Sequence, residues 1–131
     1  MSQQQAANWY FGENSGINFS PSGELTILDN GQLNTVEGCS SISDINGNLL
    51  FYTDGSTVFN RNHSLMQNGE FLLGHESSTQ SAIVVPKPND PNIYYIFTVG
   101  SNMSQTGLNY SIVDMTLDNG LGAIINKNIN L

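Results

Sequence analysis

The stretch SSTQSAIVVPKPNDPNIYYIFTVG, residues 77–100, contains the pattern that decides the fold. Two apolar runs rich in β-branched and aromatic residues, 81–85 and 93–99, are joined by a polar connector that carries three prolines. Such runs, separated by turn-forming residues, predict the two strands of an antiparallel hairpin. Because both runs are continuously apolar, we expect these strands to be covered on both faces. The prolines stiffen the connection and leave fewer N–H groups for edge pairing.

The same alternation of strands and turns extends along the whole chain, and amphipathic helical periodicity is nearly absent. Asn-Gly and Asp-Gly pairs recur between the apolar runs and supply the positive φ angles that tight hairpins need. The final run, INKNINL, alternates apolar residues or Lys with Asn, which is typical of a half-exposed outer strand. The sequence therefore predicts an all-β protein with strands at residues 8–11, 25–28, 39–43, 49–53, 57–60, 81–85, 93–99, 109–115 and 125–131.

An internal repeat relates two parts of the chain. SSISDINGNLLFYTDG, residues 40–55, aligns with residues 81–100, because each has a small-residue start, a strand, a turn ending in Asn, a second strand, and then Thr and Gly two residues apart. A repeat of about 40 to 45 residues with about four strands is typical of a β-propeller blade. We expect β-propeller-type antiparallel blades in a single region, 1–131, with repeats at about 38–74 and 80–131. This is a partial propeller of about two blades plus an N-terminal strand pair.

Composition limits the possible partners. The 131 residues are enough for one domain, and the charged fraction of 11% lies well below the roughly 25% typical of soluble proteins. Three basic residues against eleven acidic ones give a net charge of -8, which argues against nucleic acid and anionic membrane surfaces as partners. No apolar run approaches the roughly 20 residues of a membrane-spanning helix, so we expect no membrane insertion. The first residues lack the features of a signal peptide, which indicates either a cytosolic protein or a signal missing from this sequence.

Six segments carry a resemblance to a known family. They are QAANWYFG, DNGQLNTVEG, ISDINGNLLFYTDG, VFNRNH, SSTQSAIVVPKPNDPNIYYIFTV and YSIVDMTLDNGLG, in that order. Together they resemble the N-terminal propeller-like region of large exported Bacteroidetes proteins, usually described as gliding-motility-associated proteins or type IX secretion substrates. The resemblance implies a secreted or cell-surface location and a propeller at the start of a longer polypeptide with a C-terminal sorting domain. It attaches no firm enzymatic activity to this region.

The chain departs from that family in two respects. It contains fewer repeats than the six or seven blades of such propellers, and it has no sorting domain. We therefore expect a fragment of a larger domain, whose open sheet edges need covering.

Four residues are candidates for ligand binding: Asp54, Arg61, His63 and Glu76. On an alternating strand, the side chains of Arg61 and His63 fall on the same face, which predicts a polar binding spot beside Asn109 or Asp54. The alternative is structural, with Arg61 paired to a nearby acid and His63 hydrogen-bonded.

Acidic residues near the repeat turns raise glycoside hydrolysis as an alternative function. A glycoside hydrolase needs two carboxyl groups about 5 to 10 Å apart, and Asp44, Asp54 and Glu76 are the acids near these turns. The alternative is that they cap turns or lie in solvent.

The segment DINGN begins like a calcium loop but lacks the glycine and the spaced glutamate of one, so we expect a plain β-turn. No cofactor is expected, and the single cysteine, Cys39, is predicted to be a buried, unreactive thiol.

The sequence favours a non-catalytic binding or display module of an exported surface protein. Its expected partners are a glycan or surface protein and the rest of the parent polypeptide. Two alternatives remain open: a carbohydrate-active hydrolase that uses carboxylates on one face, and a purely structural spacer.

Overall fold

The computed structural model describes residues 4–101 and 106–131, and within these residues the chain forms ten β-strands in three antiparallel sheets. The strands are β1 (Asn8–Phe11), β2 (Ser15–Phe19), β3 (Leu25–Leu28), β4 (Ser40–Ser43), β5 (Leu49–Thr53), β6 (Val58–Asn60), β7 (Ala82–Pro86), β8 (Ile93–Val99), β9 (Leu108–Asp114) and β10 (Ala123–Asn130). Two short 3-10 turns, Gln4–Ala6 and Asp118–Gly120, are the helical elements of this part of the chain. The prediction of an all-β protein is confirmed.

Each sheet is a meander of consecutive strands. The first sheet contains β1, β2 and β3, the second contains β4, β5 and β6, and the third contains β7 to β10 in the order β10-β9-β8-β7. The leading strands of the three sheets lie side by side, since β1 contacts β4 and β4 contacts β7. The sheets therefore stack in chain order, with the second sheet between the other two. None of the helices in the described ranges is long and apolar enough to cross a membrane.

The N-terminal sheet differs from the expected strand pair. The strand Ser15–Phe19 was not predicted, because its sequence SGINF mixes glycine and polar residues with apolar ones. It pairs with β1 on one side and β3 on the other. Gly16 is required there, because a Cβ at this position would lie 2.8 Å from the carbonyl oxygen of Trp9. The N-terminal element is thus a three-stranded sheet.

The larger core lies between the second and third sheets. Phe51, Ile96 and Val113 are fully buried in it, and the ring of Phe51 meets that of Tyr94 edge-on with centroids 5.6 Å apart. The other buried members are Ile42, Leu50, Val58, Met66, Leu72, Ala82, Met115 and Ile124.

A smaller core joins the first and second sheets. Tyr10 of β1 stacks on Tyr52 of β5, with ring centroids 4.5 Å apart and planes 18° from parallel. Leu33, in the connection between β3 and β4, is 1% exposed beside them. The second sheet is therefore covered on both faces.

The prediction that the strands of residues 81–85 and 93–99 are covered on both faces is wrong. One face of β7 and β8 packs on the second sheet, but the opposite face has no sheet against it in the part of the chain that the structure describes. Ile83 and Val85 remain 44% and 38% exposed there. Their cross-strand neighbours form a partly buried cluster of rings with centroids 6.0 to 6.2 Å apart. We call this surface the outer face of the third sheet; it comprises Ile83, Val85, Tyr95, Phe97, Tyr110 and Ile112.

The first sheet has a similar outer face. Trp9 is 51% exposed and Ile27 is 80% exposed, and both lie opposite Ile17 in the strand register. Phe11 and Leu25, on the same face, are also exposed. The stack thus ends in an apolar surface on either side.

The last strand lies at the edge of its sheet, as predicted, but two register shifts interrupt the simple alternation. The shifts fall between Ile124 and Asn126 and between Asn126 and Ile129. Asn128 adopts a positive φ of 58° inside the strand. Its side chain bonds to the backbone of the connection between β6 and β7, donating to the carbonyl oxygen of Phe71 and accepting from the N–H of Leu73.

We expect Phe51→Ala to lower the free energy of unfolding by about 3–5 kcal/mol, because it empties a fully buried aromatic position between two sheets. Urea denaturation followed by tryptophan fluorescence measures this change. Val36→Ala, at a residue that is 82% exposed, is the control and should change the stability by less than about 0.5 kcal/mol. Equal losses in the two variants would contradict the assignment of the core.

Candidate functional site

An open groove lies at one end of the second and third sheets, where the β4–β5 and β7–β8 turns approach each other. Its volume is about 690 Å³. The two turns contribute polar side chains, while Leu50, Pro86, Tyr94 and Met115 supply apolar surface. Two of the three basic residues of the chain, Arg61 and Lys87, also line it.

The β4–β5 turn is held by Asp44. One carboxylate oxygen accepts the backbone N–H groups of Asn46 and Asn48 at 2.8 and 2.9 Å, and the other accepts the side-chain amide of Asn48 at 2.9 Å. Burial of Asp44 raises the pKa of its carboxyl, but these hydrogen bonds together outweigh burial, and the pKa lies below its usual value. The segment DINGN therefore forms a β-turn whose aspartate is already engaged.

The β7–β8 turn carries its own ion pair. Lys87 Nζ lies 3.3 Å from a carboxylate oxygen of Asp90, and the N–H of Asn92 donates to the other oxygen of that carboxylate. Because both side chains are substantially exposed, the pair contributes little to stability. Its consequence for the groove is that the charge of Lys87 is locally balanced.

Arg61 has no such partner. It follows the last residue of β6, and its guanidinium packs beside Gly120, where a Cβ would lie 3.0 Å from Nη2. Among residues 4–101 and 106–131, no hydrogen bond or ion pair is made by its side chain. The groove therefore contains one cation whose charge is not balanced by a direct contact.

Tyr94 brings a second unused group to the groove. The residue is only 3% exposed, yet its hydroxyl has no hydrogen-bond partner in the described part of the chain. Burial raises the pKa of this phenol, and the nearby charge of Asp44 raises it further, so the hydroxyl is neutral at physiological pH. It is available to donate and to accept a hydrogen bond.

Arg61 and His63 do not share a face as the sequence suggested. The strand ends at Asn60, whose side-chain oxygen accepts the N–H groups of Asn62 and Ser64, and His63 has a positive φ of 58°. The turn directs Arg61 to the groove and His63 towards the first sheet. The alternating-strand argument fails because no strand exists at these residues.

His63 connects the first and second sheets through hydrogen bonds. The hydroxyl of Tyr10 donates to the side-chain oxygen of Asn30, which turns the amide nitrogen of Asn30 towards Nε2 of His63 at 2.9 Å. Nε2 is then the acceptor, so Nδ1 carries the proton and donates to the hydroxyl of Tyr52 at 3.0 Å. Burial lowers the pKa of His63. The imidazole thus has a structural role, in agreement with the alternative of a hydrogen-bonded His63.

Asp54 and Glu76 lie away from the groove. Asp54 follows β5, and one of its oxygens accepts the N–H groups of Ser56 and Thr57 and the hydroxyl of Ser56, so it caps the β5–β6 turn. Glu76 is exposed, and its backbone carbonyl is 3.5 Å from the hydroxyl of Thr35. Asn109, considered beside Arg61, instead donates to the backbone carbonyls of residues 106 and 107. The structure brings none of these residues to Arg61.

The five residues of β5 separate Asp44 from Asp54 by roughly 17 Å, given the rise of about 3.3 Å per residue. This exceeds the separation of carboxyl groups in glycoside hydrolases. The two aspartates therefore cannot act as a catalytic pair in this fold.

Cys39 is half-buried beside the smaller core. Burial raises the pKa of its thiol, and the charge of Asp54 raises it further. Because the thiolate is the reactive form of cysteine, both effects lower the reactivity of this thiol.

Comparison with known proteins gave no match, whether with family models, curated proteins or solved structures.

We expect the stability of the protein to fall as the pH drops from 7 to 5, and to fall less in His63→Gln. The folded-state pKa of His63 is lowered, so the unfolded chain takes up the proton first. The stabilisation is complete above the unfolded pKa of about 6.5 and is lost as the pH falls through that value towards the folded pKa. Urea midpoints of both proteins across this range measure the difference. Parallel pH profiles would contradict the structural role of the neutral imidazole.

Proposed function

We propose that the three sheets are consecutive blades of a β-propeller-type domain and that this domain is a non-catalytic binding or display module of an exported bacterial surface protein. One observation supports the proposal that the sheets are consecutive blades. The second sheet packs on the third through an apolar face. The outer face of the third sheet presents the same type of apolar surface, but it is exposed.

The strand register supports this equivalence. Ile42 pairs with Phe51 in the second sheet, and Ile83, which aligns with Ile42 in the repeat, pairs with Phe97 in the third. Ile42 and Phe51 are 8% and 0% exposed because the third sheet packs on them. Ile83 is 44% exposed and Phe97 is half-buried. Since the same type of apolar surface is present in both sheets, we propose that a further blade of the parent polypeptide covers the outer face of the third sheet.

The binding role follows from the groove. It combines an unbalanced guanidinium, an unused phenol and asparagine side chains, which suits recognition of a polar ligand. The proposed surface location rests on the family resemblance and on the low fraction of charged residues in the chain. The separation of Asp44 from Asp54 removes one of the carboxyl pairs that hydrolysis could use.

The exposed apolar faces predict self-association of the isolated 131-residue protein. Replacing Ile83 and Phe97 together by Ser should shift the sedimentation profile at micromolar concentration towards monomer, because it removes apolar surface from the outer face of the third sheet. The double variant Val36→Ser, Ile45→Ser is the matched control, since these residues are 82% and 77% exposed and lie outside both outer faces. A monodisperse wild-type monomer with cooperative melting would contradict the prediction.

Surface display is tested on intact cells of the native source. We expect brief trypsin treatment to release peptides of this protein into the medium while a cytosolic marker enzyme stays protected. Release only after cell lysis would refute the proposed location.

A further inference from the structure

We infer that the groove binds a saccharide that carries a carboxylate. Arg61 holds the carboxylate, while Tyr94 and the side-chain amides of Asn46 and Asn89 in the two turns hold hydroxyl groups. This inference deepens the proposed binding function by naming the ligand class and its site.

The charge of Arg61 selects for an acidic ligand. A guanidinium offers a planar pair of donors that matches a carboxylate, and here those donors are not used within the described residues. The other charges of the groove are engaged elsewhere: Asp44 by its own turn, and Lys87 and Asp90 by each other. The two acidic and two basic side chains of the groove sum to no net charge, but Arg61 is the one among them whose hydrogen-bonding groups are unused within the described residues, so it is the group left to hold an anion.

The single unbalanced cation favours a carboxylate over a phosphate. A phosphate group with nearly two negative charges is best held by two or more cations, and the second basic residue, Lys87, is paired with Asp90 at 3.3 Å. The net charge of -8 also disfavours a highly charged anion. A monoanion next to Arg61 needs only one cation and is repelled less by the net charge of the protein.

Hydroxyl groups on the ligand are suggested by Tyr94. Its side chain is buried, with 3% of the residue exposed, but the hydroxyl lines the groove without a protein partner. Because this hydroxyl is not among the buried polar atoms that lack a partner, it is open to the groove and can bond to a ligand there. The side-chain amides of Asn46 and Asn89, on opposite turns, make no hydrogen bond within the described chain and offer both donors and acceptors. Donors and acceptors of this kind, lining one groove, match the hydroxyl groups of a sugar ring.

The decisive experiment is a titration of the ¹⁵N-labelled protein with D-galacturonate and, separately, with D-galactose, which differs by the absence of the carboxylate. We expect saturable shifts of backbone amides in the β4–β5 and β7–β8 turns with galacturonate, and at least about tenfold weaker binding of galactose. Binding of neither sugar, or equal binding of both, would overturn the inference.

Variants locate the contacts. Arg61→Gln should weaken galacturonate binding by about tenfold or more, because it removes the charge-assisted pair. Asn62→Asp is the matched control: it changes the net charge by the same amount, its side chain lies outside the groove, and binding should be nearly unchanged. Tyr94→Phe removes only the hydroxyl and should weaken binding several-fold without lowering the melting temperature. Wild-type affinity in Arg61→Gln, or equal losses in Arg61→Gln and Asn62→Asp, would overturn the assignment of the carboxylate site.

The titration does not depend on cellular location. If the protein is displayed on the surface but does not bind galacturonate, only the ligand class is refuted. If it binds galacturonate but is confined to the cytosol, only the proposed location is refuted.

Discussion

The structure depends on the burial of both faces of β5. Phe51 and Tyr52 are adjacent, so their side chains point to opposite faces of the sheet, and each is fully buried. Phe51 packs against the third sheet, while Tyr52 stacks on Tyr10 of the first. A small protein with few charges gains most of its stability from apolar burial of this kind. The two residues together hold three sheets in one stack.

The groove is a consequence of that stack. Because successive sheets pack face to face with their leading strands side by side, the β4–β5 and β7–β8 turns emerge at the same end. Neither turn forms a binding surface alone, since Asp44 and Asp90 are each used within their own turn. The side chains left over, above all Arg61 and Tyr94, define what the groove can recognise. Packing between sheets thus sets the chemistry at their ends.

Local structure was largely predictable from the sequence, whereas contacts between sheets were not. Strands such as Leu49–Thr53 and Ile93–Val99 were predicted with their observed bounds, because β-branched and aromatic runs between Asn-Gly or Asp-Gly turns are strong local signals. Whether Ile83 is covered depends on a neighbouring sheet and is not encoded in its own strand. The grouping of Arg61 with His63 failed because the side chain of Asn60 ends the strand. Tyr94 was not identified as a site residue because an unused hydroxyl is visible only in three dimensions.

The connection between β6 and β7 covers one edge of the third sheet. It runs along β10, where the N–H of Ile124 donates to the carbonyl oxygen of Gln67, and Lys127 donates to the backbone carbonyls of Asn68 and Glu70. The outermost strand of the third sheet therefore has its free edge occupied by the protein's own backbone. Adding strands edge to edge, as in fibrils, is blocked on that side. The broad outer faces of the first and third sheets are not affected by this protection and remain apolar and exposed.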